Sequence, residues 1–409
     1  MTDRTQATAA RGAVVPKPPR DPRLDFFRGI ALLSIVISHA PNNPWARWLP
    51  ARFGFSDAAE IFVFCSGFAS ALAFGATFVN RGWLLGTARI LHRVWQIYWA
   101  HVASFVVITA AMVMLSDSGS LVRDYVGQLN LKPFLKDPGE NLVGLLTLTY
   151  VPNYFDILPM YLVILAMVPA AVALARVNLG LLALASLALW IAANTGWLNL
   201  PAEPWSDRQW FFNPFGWQLL FFLGFAFASG WLRPPAPSPT LVAIAAGFLI
   251  LTLPIAHPGI RNAIPAFGEL RDGLMPIAAK TPQGPLRLLH FLALAWLAWI
   301  ATGPGGARLV EGLRWRRLVA LIRAIGQQSL AVFLVGLLAS RLMGVGLDIL
   351  GRGVGPAALV NLAGLASCLG TALLVGWLKS QPWRAPSRPA LPVPEPDPVW
   401  PAAAERPSP

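Results

Sequence analysis

An arginine and a histidine lie eleven residues apart in the otherwise apolar segment DFFRGIALLSIVISH, residues 25–39. On an α-helix, eleven residues bring the side chains of Arg28 and His39 back to within about 20° of the same face, about 16 Å apart along the axis. One helix therefore presents a cation at one end and an imidazole at the other. The simpler interpretation of each residue alone is that Arg28 reaches the lipid headgroups and His39 caps the helix at the interface.

Two carboxylates follow in the segment FGFSDAAEIFVFCSGF, where Ser56 is expected to cap a second helix that Asp57 and Glu60 begin. Since this helix starts at the end where the first one stops, we expect both carboxylates to lie within reach of His39. A carboxylate that orients an imidazole raises its basicity, which a general base requires. The alternative is that acids at a helix start stabilise its dipole. For Asp57 both interpretations stay open, whereas Glu60 lies deeper, which favours a functional role.

Cationic and polar residues also gather at the start of the third helix, on the side of the membrane where Arg28 lies. Arg89, Arg93 and Gln96 share one helix face by their i+4 and i+3 spacing. With Arg28 they can bind a phosphorylated donor from the cytosol. The accumulation of arginines on the cytoplasmic side of membrane proteins explains them nearly as well.

Further polar residues are expected at the opposite, outer side. Arg287 and His290 lie one turn apart at the start of a later apolar helix, and Asp156 opens the fourth one. Polar groups in membrane helices often only tie neighbouring helices together. For Asp156 a structural role is therefore favoured over a catalytic one.

The composition is that of a membrane protein. Hydrophobic residues make up 56% of the 409 residues and charged residues 12%, about half the usual charged share of a soluble domain. No recurring strand pattern favours a membrane β-barrel. The sequence predicts an all-α, polytopic integral membrane bundle of about ten transmembrane helices. The candidate spans are residues 24–41, 57–79, 90–115, 154–175, 178–198, 211–232, 240–256, 287–302, 318–346 and 356–378.

The predicted membrane domain, residues 24–380, lies between two polar, Pro-rich segments. Residues 1–23 are expected to be a disordered basic arm, and residues 381–409 a disordered tail. An even number of spans puts both termini on one side, and the excess of Lys and Arg there identifies that side as the cytoplasm. The net charge of +13 belongs mainly to this face, where membrane lipid is the expected partner and nucleic acid is not needed.

Motifs of soluble enzymes are absent from the sequence. Cys65 and Cys368 lie in apolar runs and indicate neither a disulfide nor a metal site. A transporter or exporter of a saccharide or lipid is the alternative to an enzyme, since intramembrane charges also line permeation paths. A transporter predicts polar residues at the midplane of several helices. Here they gather at two ends, which favours a reaction between substrates that arrive from opposite sides.

The same segments resemble a known family. RDPRLDFFRGIALLSIVISHA and FGFSDAAEIFVFCSGF are similar to the OpgC family, membrane acyltransferases that succinylate osmoregulated periplasmic glucans. The resemblance continues through RVWQIYWAHV, YFDILPMYLVILA, NPFGWQLLFFLG, LRLLHFLALAWL and IGQQSLAVFLVGLLAS. The arginine followed eleven residues later by histidine also resembles the wider acyltransferase-3 superfamily, whose members move an acyl group from cytosolic acyl-CoA to an acceptor on the far side of the membrane.

The resemblance implies an O-acyltransferase of the bacterial inner membrane. Its co-substrate would be acyl-CoA, with no further cofactor and no metal, and its acceptor a periplasmic glucan or another extracytoplasmic glycan. Arg28 would bind the CoA end, while His39 would deprotonate a sugar hydroxyl. In the second helix, the family's motif falls on Asp57, Glu60, Ser66 and Gly67.

Two positions depart from the family's pattern. Phe68 stands where such families often have Tyr after Ser-Gly, and Gln327 stands where Arg is expected before Gln-Ser. The first loses a hydroxyl and the second a charge, so contacts of those groups with donor or acceptor are not expected here. The assignment of His39 does not depend on either.

Overall fold

A computed structural model of the chain describes residues 21–117, 123–311 and 313–384. Within these ranges the regular structure is helical, apart from an isolated β-bridge between Pro201 and Gln209. The predicted all-α fold is confirmed. The predicted arm (1–23) and tail (381–409) fall almost wholly outside the described residues.

The described residues form seventeen α-helices. In chain order they are α1 Pro22–His39, α2 Ala58–Arg81, α3 Trp83–Asp117, α4 Tyr125–Gln128, α5 Lys132–Lys136, α6 Pro138–Thr147, α7 Ile157–Val177, α8 Leu179–Asn194, α9 Pro214–Ala228, α10 Pro239–Ala256, α11 Pro258–Ala263, α12 Pro265–Leu274, α13 Pro285–Ala301, α14 Ala307–Val310, α15 Leu313–Gln327, α16 Ser329–Leu350 and α17 Val354–Ser380. Short 3-10 helices are formed by Pro44–Trp48, Pro50–Arg52 and Pro304–Gly306.

Several of these helices have the length and composition of membrane spans. Among the described residues six qualify, namely α2, α3, α7, α10, α16 and α17, and a seventh if α13 is joined to the segment Pro304–Val310 across a bend of 65°. The apolar helices α8 and α9 are shorter. Helices occupy all ten predicted spans, and α1 differs from the six because it carries Arg23, Asp25 and Arg28. The protein is therefore a polytopic helical membrane protein.

The ninth predicted span, residues 318–346, is two helices in the structure. The backbone leaves helical geometry at Gln328, with φ −106° and ψ 34°, between α15 and α16. The first of the two carries arginines, among them Arg316 and Arg323, which are costly to bury in lipid. The apolar helix α16 alone has the composition of a span.

Helix α1 packs between α2, α15 and α16. Its crossing with α15 is close, because a Cβ atom at Gly29 would lie 2.1 Å from the carbonyl oxygen of Ile322, and one at Gly326 would lie 1.9 Å from that of Asp25. Glycines at a helix crossing allow two backbones to approach in this way. The crossing fixes the first turns of α1.

Helix α16 runs alongside α1 in the same direction. At its start, Ser329 accepts a hydrogen bond from Arg28, and three turns later Arg341 donates to the backbone carbonyl of His39 at 2.6 Å. These contacts define two ends of the bundle, called here the Arg28 end and the His39 end. Helices α2 and α13 begin at the His39 end, where Ser56 and His290 are in contact.

Candidate active site

A cavity of about 590 Å³ lies at the His39 end of the bundle. Its walls come from the end of α1, the starts of α2 and α7, and the connecting segments beside them. The polar and charged groups in these walls include His39, Asp57, Tyr154, Asp156 and Lys280. Three of the predicted site residues, His39, Asp57 and Asp156, therefore share one cavity.

His39 is the last residue of α1 and is half-buried. Its carbonyl oxygen accepts the hydrogen bond from Arg341, and its ring packs edge-on against Tyr154, with ring centroids 5.4 Å apart. Its Nδ1 atom is buried and has no hydrogen-bond partner among the described residues. The imidazole is thus held by packing, and a substrate need not break a protein hydrogen bond to reach Nδ1.

Asp57 and Glu60 form a capping box at the start of α2. The Asp57 side chain accepts a hydrogen bond from the backbone N–H of Ala59 at 2.8 Å, and Glu60 accepts one from the backbone N–H of Asp57 at 2.8 Å. These bonds satisfy donors that a helix start otherwise leaves unpaired. The two acids therefore stabilise the start of α2, which is the structural role expected for them as an alternative.

Two cations occupy the remaining oxygens of these acids. Lys280 Nζ lies 2.6 Å from Asp57 Oδ2, and Arg287 Nη2 lies 2.6 Å from Glu60 Oε1 and 3.2 Å from Asp57 Oδ2. Among the described contacts, neither carboxylate is hydrogen-bonded to His39, so the structure does not show the expected orienting contact. These oxygens form stronger, charge-assisted hydrogen bonds with the two cations than they would form with a neutral imidazole. Glu60 is fully buried and, unlike Asp57, does not line the cavity.

Arg287 and His290 join the start of α13 to the start of α2. Besides the ion pairs of Arg287, the Nδ1 atom of His290 is hydrogen-bonded to the Ser56 hydroxyl at 2.7 Å. Ser66 is buried in α2, next to the point where Gly67 meets the backbone of α9, and it does not line the cavity. These three residues thus contribute to helix packing around the cavity.

Asp156 precedes α7 and is buried in the cavity wall. One of its carboxylate oxygens accepts a hydrogen bond from the backbone N–H of Phe211 at 3.4 Å. It therefore links the start of α7 to the segment before α9, at the His39 end of the bundle.

The predicted donor residues lie on different elements. Arg28 contacts α16 through Ser329, while the described hydrogen bonds of Arg89 and Arg93 are with Thr77 at 2.6 Å and Gln96 at 3.0 Å, in α2 and α3. Arg89 and Gln96 are exposed and Arg93 is half-buried. These contacts do not join Arg28 to the α3 group.

The two departures from the family's pattern have identifiable surroundings. Gln327, where an arginine was expected, donates a hydrogen bond from Nε2 to Asp25 at 3.1 Å. Phe68, in place of a tyrosine, lines a second, apolar cavity of about 220 Å³ between α1, α2 and α13. Neither Gln327 nor Phe68 lines the His39 cavity.

The model of one protein family, described as OpgC protein, matches residues 20–380. The chain belongs to the OpgC family. The match runs from α1 to the end of α17, so it includes both ends of α1 and the whole cavity. Membership in the OpgC family implies a glucan succinyltransferase-like function and hence a membrane transferase. No curated protein and no solved structure gives a significant match.

Three residues beside His39 in this OpgC-family protein were not predicted from the sequence. Lys280 lies in the segment between α12 and α13, Tyr154 precedes α7, and Arg341 lies within α16. Spacing along one helix carries no information on such partners, which are more than 100 residues from His39. The one available signal was an arginine inside the apolar run 318–346, where charges are rare and usually functional.

Proposed function

We propose that this OpgC-family protein is an O-acyltransferase of the bacterial inner membrane. It moves an acyl group, foremost succinyl, from cytosolic acyl-CoA to hydroxyls of a periplasmic glucan. The observation that carries the proposal is His39 in a charged cavity at one end of α1, with Arg28 at the other end, in a chain of this family. The same observation favours transfer over transport, because the cavity and its charges are confined to one end.

The two substrates approach from opposite ends of α1. Arg28 attracts the phosphates of CoA at its end, which the excess of basic residues identifies as cytoplasmic. The α3 group, Arg89, Arg93 and Gln96, adds to the attraction for this anion. The acyl chain and pantetheine arm then extend about 16 Å along the helix to His39. The glucan enters the cavity from the periplasm.

His39 acts as the general base in the transfer. It accepts the proton of a sugar hydroxyl while the hydroxyl oxygen attacks the thioester carbonyl carbon. The tetrahedral intermediate collapses by breaking the C–S bond, so that the ester forms and the CoA thiolate leaves towards the Arg28 end and takes up a proton. The imidazolium returns its proton to water in the cavity.

The surrounding residues position this reaction. Asp57 faces the acceptor in the cavity with its charge balanced by Lys280, and Glu60, paired with Arg287, fixes the start of α2. Asp156, which lines the cavity, would contact the acceptor. His290 and Ser66 support the helices that form it.

The test is the acyl content of periplasmic glucans from bacterial cells that carry the intact protein, His39→Gln or no copy, with matched membrane levels of the two proteins. We expect ester-linked succinyl groups with the intact protein only, identified by glucan mass before and after mild alkali. Glucans of equal mass in all three strains would refute the proposal. A different ester mass would keep the transfer and change the donor.

A further inference from the structure

Arg341 is a buried cation beside His39. Its side chain is among the largest fully buried ones of the described residues, with 2% relative exposure. The guanidinium lies over the ring of Tyr154, 4.1 Å from the ring centroid, and Nη2 donates to the carbonyl of His39. The Nη1 atom is also buried, and no described residue accepts a hydrogen bond from it.

No carboxylate balances this charge in the described part of the chain. At the cavity, Asp57 and Glu60 are balanced by Lys280 and Arg287. Farther along α16, Asp348 is paired with Arg123 and Arg352. A buried charge without a partner is costly, and a buried donor without an acceptor adds to that cost. Arg341 therefore has an unfilled requirement for an anion.

The neighbours of Arg341 connect it with the cavity. His39 and Tyr154, which both contact its guanidinium, line the cavity wall. Tyr154 is 44% exposed and has a backbone φ of +70°. This left-handed conformation is strained for a bulky residue, and such strain concentrates at functional sites. The Tyr154 ring thus lines the cavity and also lies over the guanidinium, which is not itself among the lining groups.

We infer that Arg341 binds a carboxylate of the substrate beside His39, through Nη1 and once the Tyr154 ring has turned aside. This inference rests on the proposed function for the identity of the substrate. The carboxylate has two possible sources, the free end of a dicarboxylic acyl group on the donor and an acidic substituent on the glucan. In both cases the bound anion neutralises Arg341 and places the reacting groups next to the imidazole.

A purely structural role predicts something different. In that case Arg341 only holds the last turn of α1 through Nη2, and Nη1 contributes nothing. Its loss would then impair every substrate to the same extent, because His39 would be displaced for all of them. Discrimination between acidic and neutral substrates separates the two roles.

The first experiment measures binding without turnover. Succinate and its neutral diamide, succinamide, are added at equal ionic strength to the intact protein in lipid nanodiscs, and the unfolding temperature is recorded. We expect succinate to raise the unfolding temperature and succinamide not to, with the difference lost in Arg341→Gln and kept in Arg352→Gln. Arg352 is a matched control, since it is partly exposed and its described ion pair is with Asp348. Equal effects of succinate and succinamide on the intact protein would overturn the inference, whether or not the protein is an acyltransferase.

The second experiment identifies the source of the carboxylate. Succinyl-CoA and butyryl-CoA, which differ in the terminal carboxylate, are each combined with a neutral glucan and with the same glucan carrying acidic groups. A donor site predicts that Arg341→Gln lowers the kcat/KM preference for succinyl-CoA by roughly 10- to 100-fold, with Arg341→Lys intermediate. An acceptor site predicts the loss of preference for the acidic glucan instead. Equal losses for all four combinations, or none, would overturn the inference while leaving the acyltransferase function intact.

Discussion

Arg287 and Glu60 form a buried ion pair that joins α13 to α2. Two nitrogens of the guanidinium, Nε and Nη2, lie 2.8 and 2.6 Å from the same carboxylate oxygen, and the two side chains are 10% and 0% exposed. Breaking such a pair leaves one uncompensated charge inside the protein, which costs far more than the pair itself contributes. The start of α2, which presents Asp57 to the cavity, depends on this contact.

Arg287→Met is expected to lower the free energy of unfolding by about 3 to 5 kcal/mol, because Glu60 remains buried without its cation. Glu60→Gln combined with Arg287→Met should be more stable than Arg287→Met alone. Thermal unfolding in lipid nanodiscs measures both, with Arg233→Met, an exposed arginine, as the control. A double variant no more stable than the single one would show that the charge of Glu60 is not the cause.

Gly326→Ala should disrupt the crossing of α1 and α15. The added methyl group would lie 1.9 Å from the carbonyl oxygen of Asp25, so one of the two backbones must move. Overpacking of this kind costs about 1 to 3 kcal/mol or more. The control is Gly370→Ala in α17, where nothing lies within 4 Å of the added atom and no loss of unfolding temperature is expected. Similar unfolding temperatures of the two variants would contradict the close crossing.

The features that depend on one helix were predictable from the sequence. The Arg28 and His39 motif is confirmed as part of α1, and Asp57 and Glu60 do begin a helix beside it. Spacing along the chain determines which residues share a helix and which face of that helix they occupy. The break at Gln328 was missed, because residues 318–346 were assigned to one span although α15 carries arginines and only α16 has the composition of a span.

Features that depend on contacts between distant segments were not predictable. Glu60 was expected to reach His39, yet it is paired with Arg287, 227 residues away along the chain. Lys280 and Arg341 reach the cavity region through the packing of α13 and α16. One sequence alone does not indicate which cation a buried carboxylate will pair with, because the pairing depends on how the helices pack.

Arg28→Gln is expected to raise the KM for succinyl-CoA by about 10-fold or more, because a charge-assisted contact at a partly buried position is lost. Arg93→Gln should change the KM much less, since the described hydrogen bond of Arg93, with Gln96, is exposed to solvent, and charges near solvent contribute little and are screened by salt. Initial rates at several salt concentrations measure both effects. A larger effect of Arg93→Gln would place the CoA phosphates on α3 rather than at Arg28.

Glu203 holds a loop at the rim of the cavity. Its carboxylate accepts hydrogen bonds from Arg208, Ser206 and Asn130, and Arg208 also donates to Asn153 in the cavity wall. Burial alone would raise the pKa of Glu203, but the hydrogen bonds from Arg208 and Ser206 hold this pKa below its usual range. The ionised carboxylate therefore stabilises the folded state.

The stabilisation by Glu203 should depend on pH with a definite sign. A lowered pKa gives stability that is fully present above the unfolded-state pKa of about 4.3 and is lost as the pH falls through the folded-state value. Glu203→Gln should therefore lower the unfolding temperature by a constant amount from about pH 7 to about pH 5, and by less below about pH 4. Asp207→Asn, at an exposed position of the same loop, is the control. A difference that grows on acidification would contradict the direction of the shift.

The central claim is that His39 removes the proton of the acceptor hydroxyl. The most direct measurement is the initial rate of succinyl transfer to glucan in proteoliposomes for the intact protein, His39→Gln and His257→Gln. His257, which directly follows α10 and packs against Phe53, is the matched control. We expect a fall in kcat of about 10²- to 10⁴-fold for His39→Gln, with unchanged unfolding temperature, and a normal rate for His257→Gln. A kcat for His39→Gln close to that of the intact protein would contradict it.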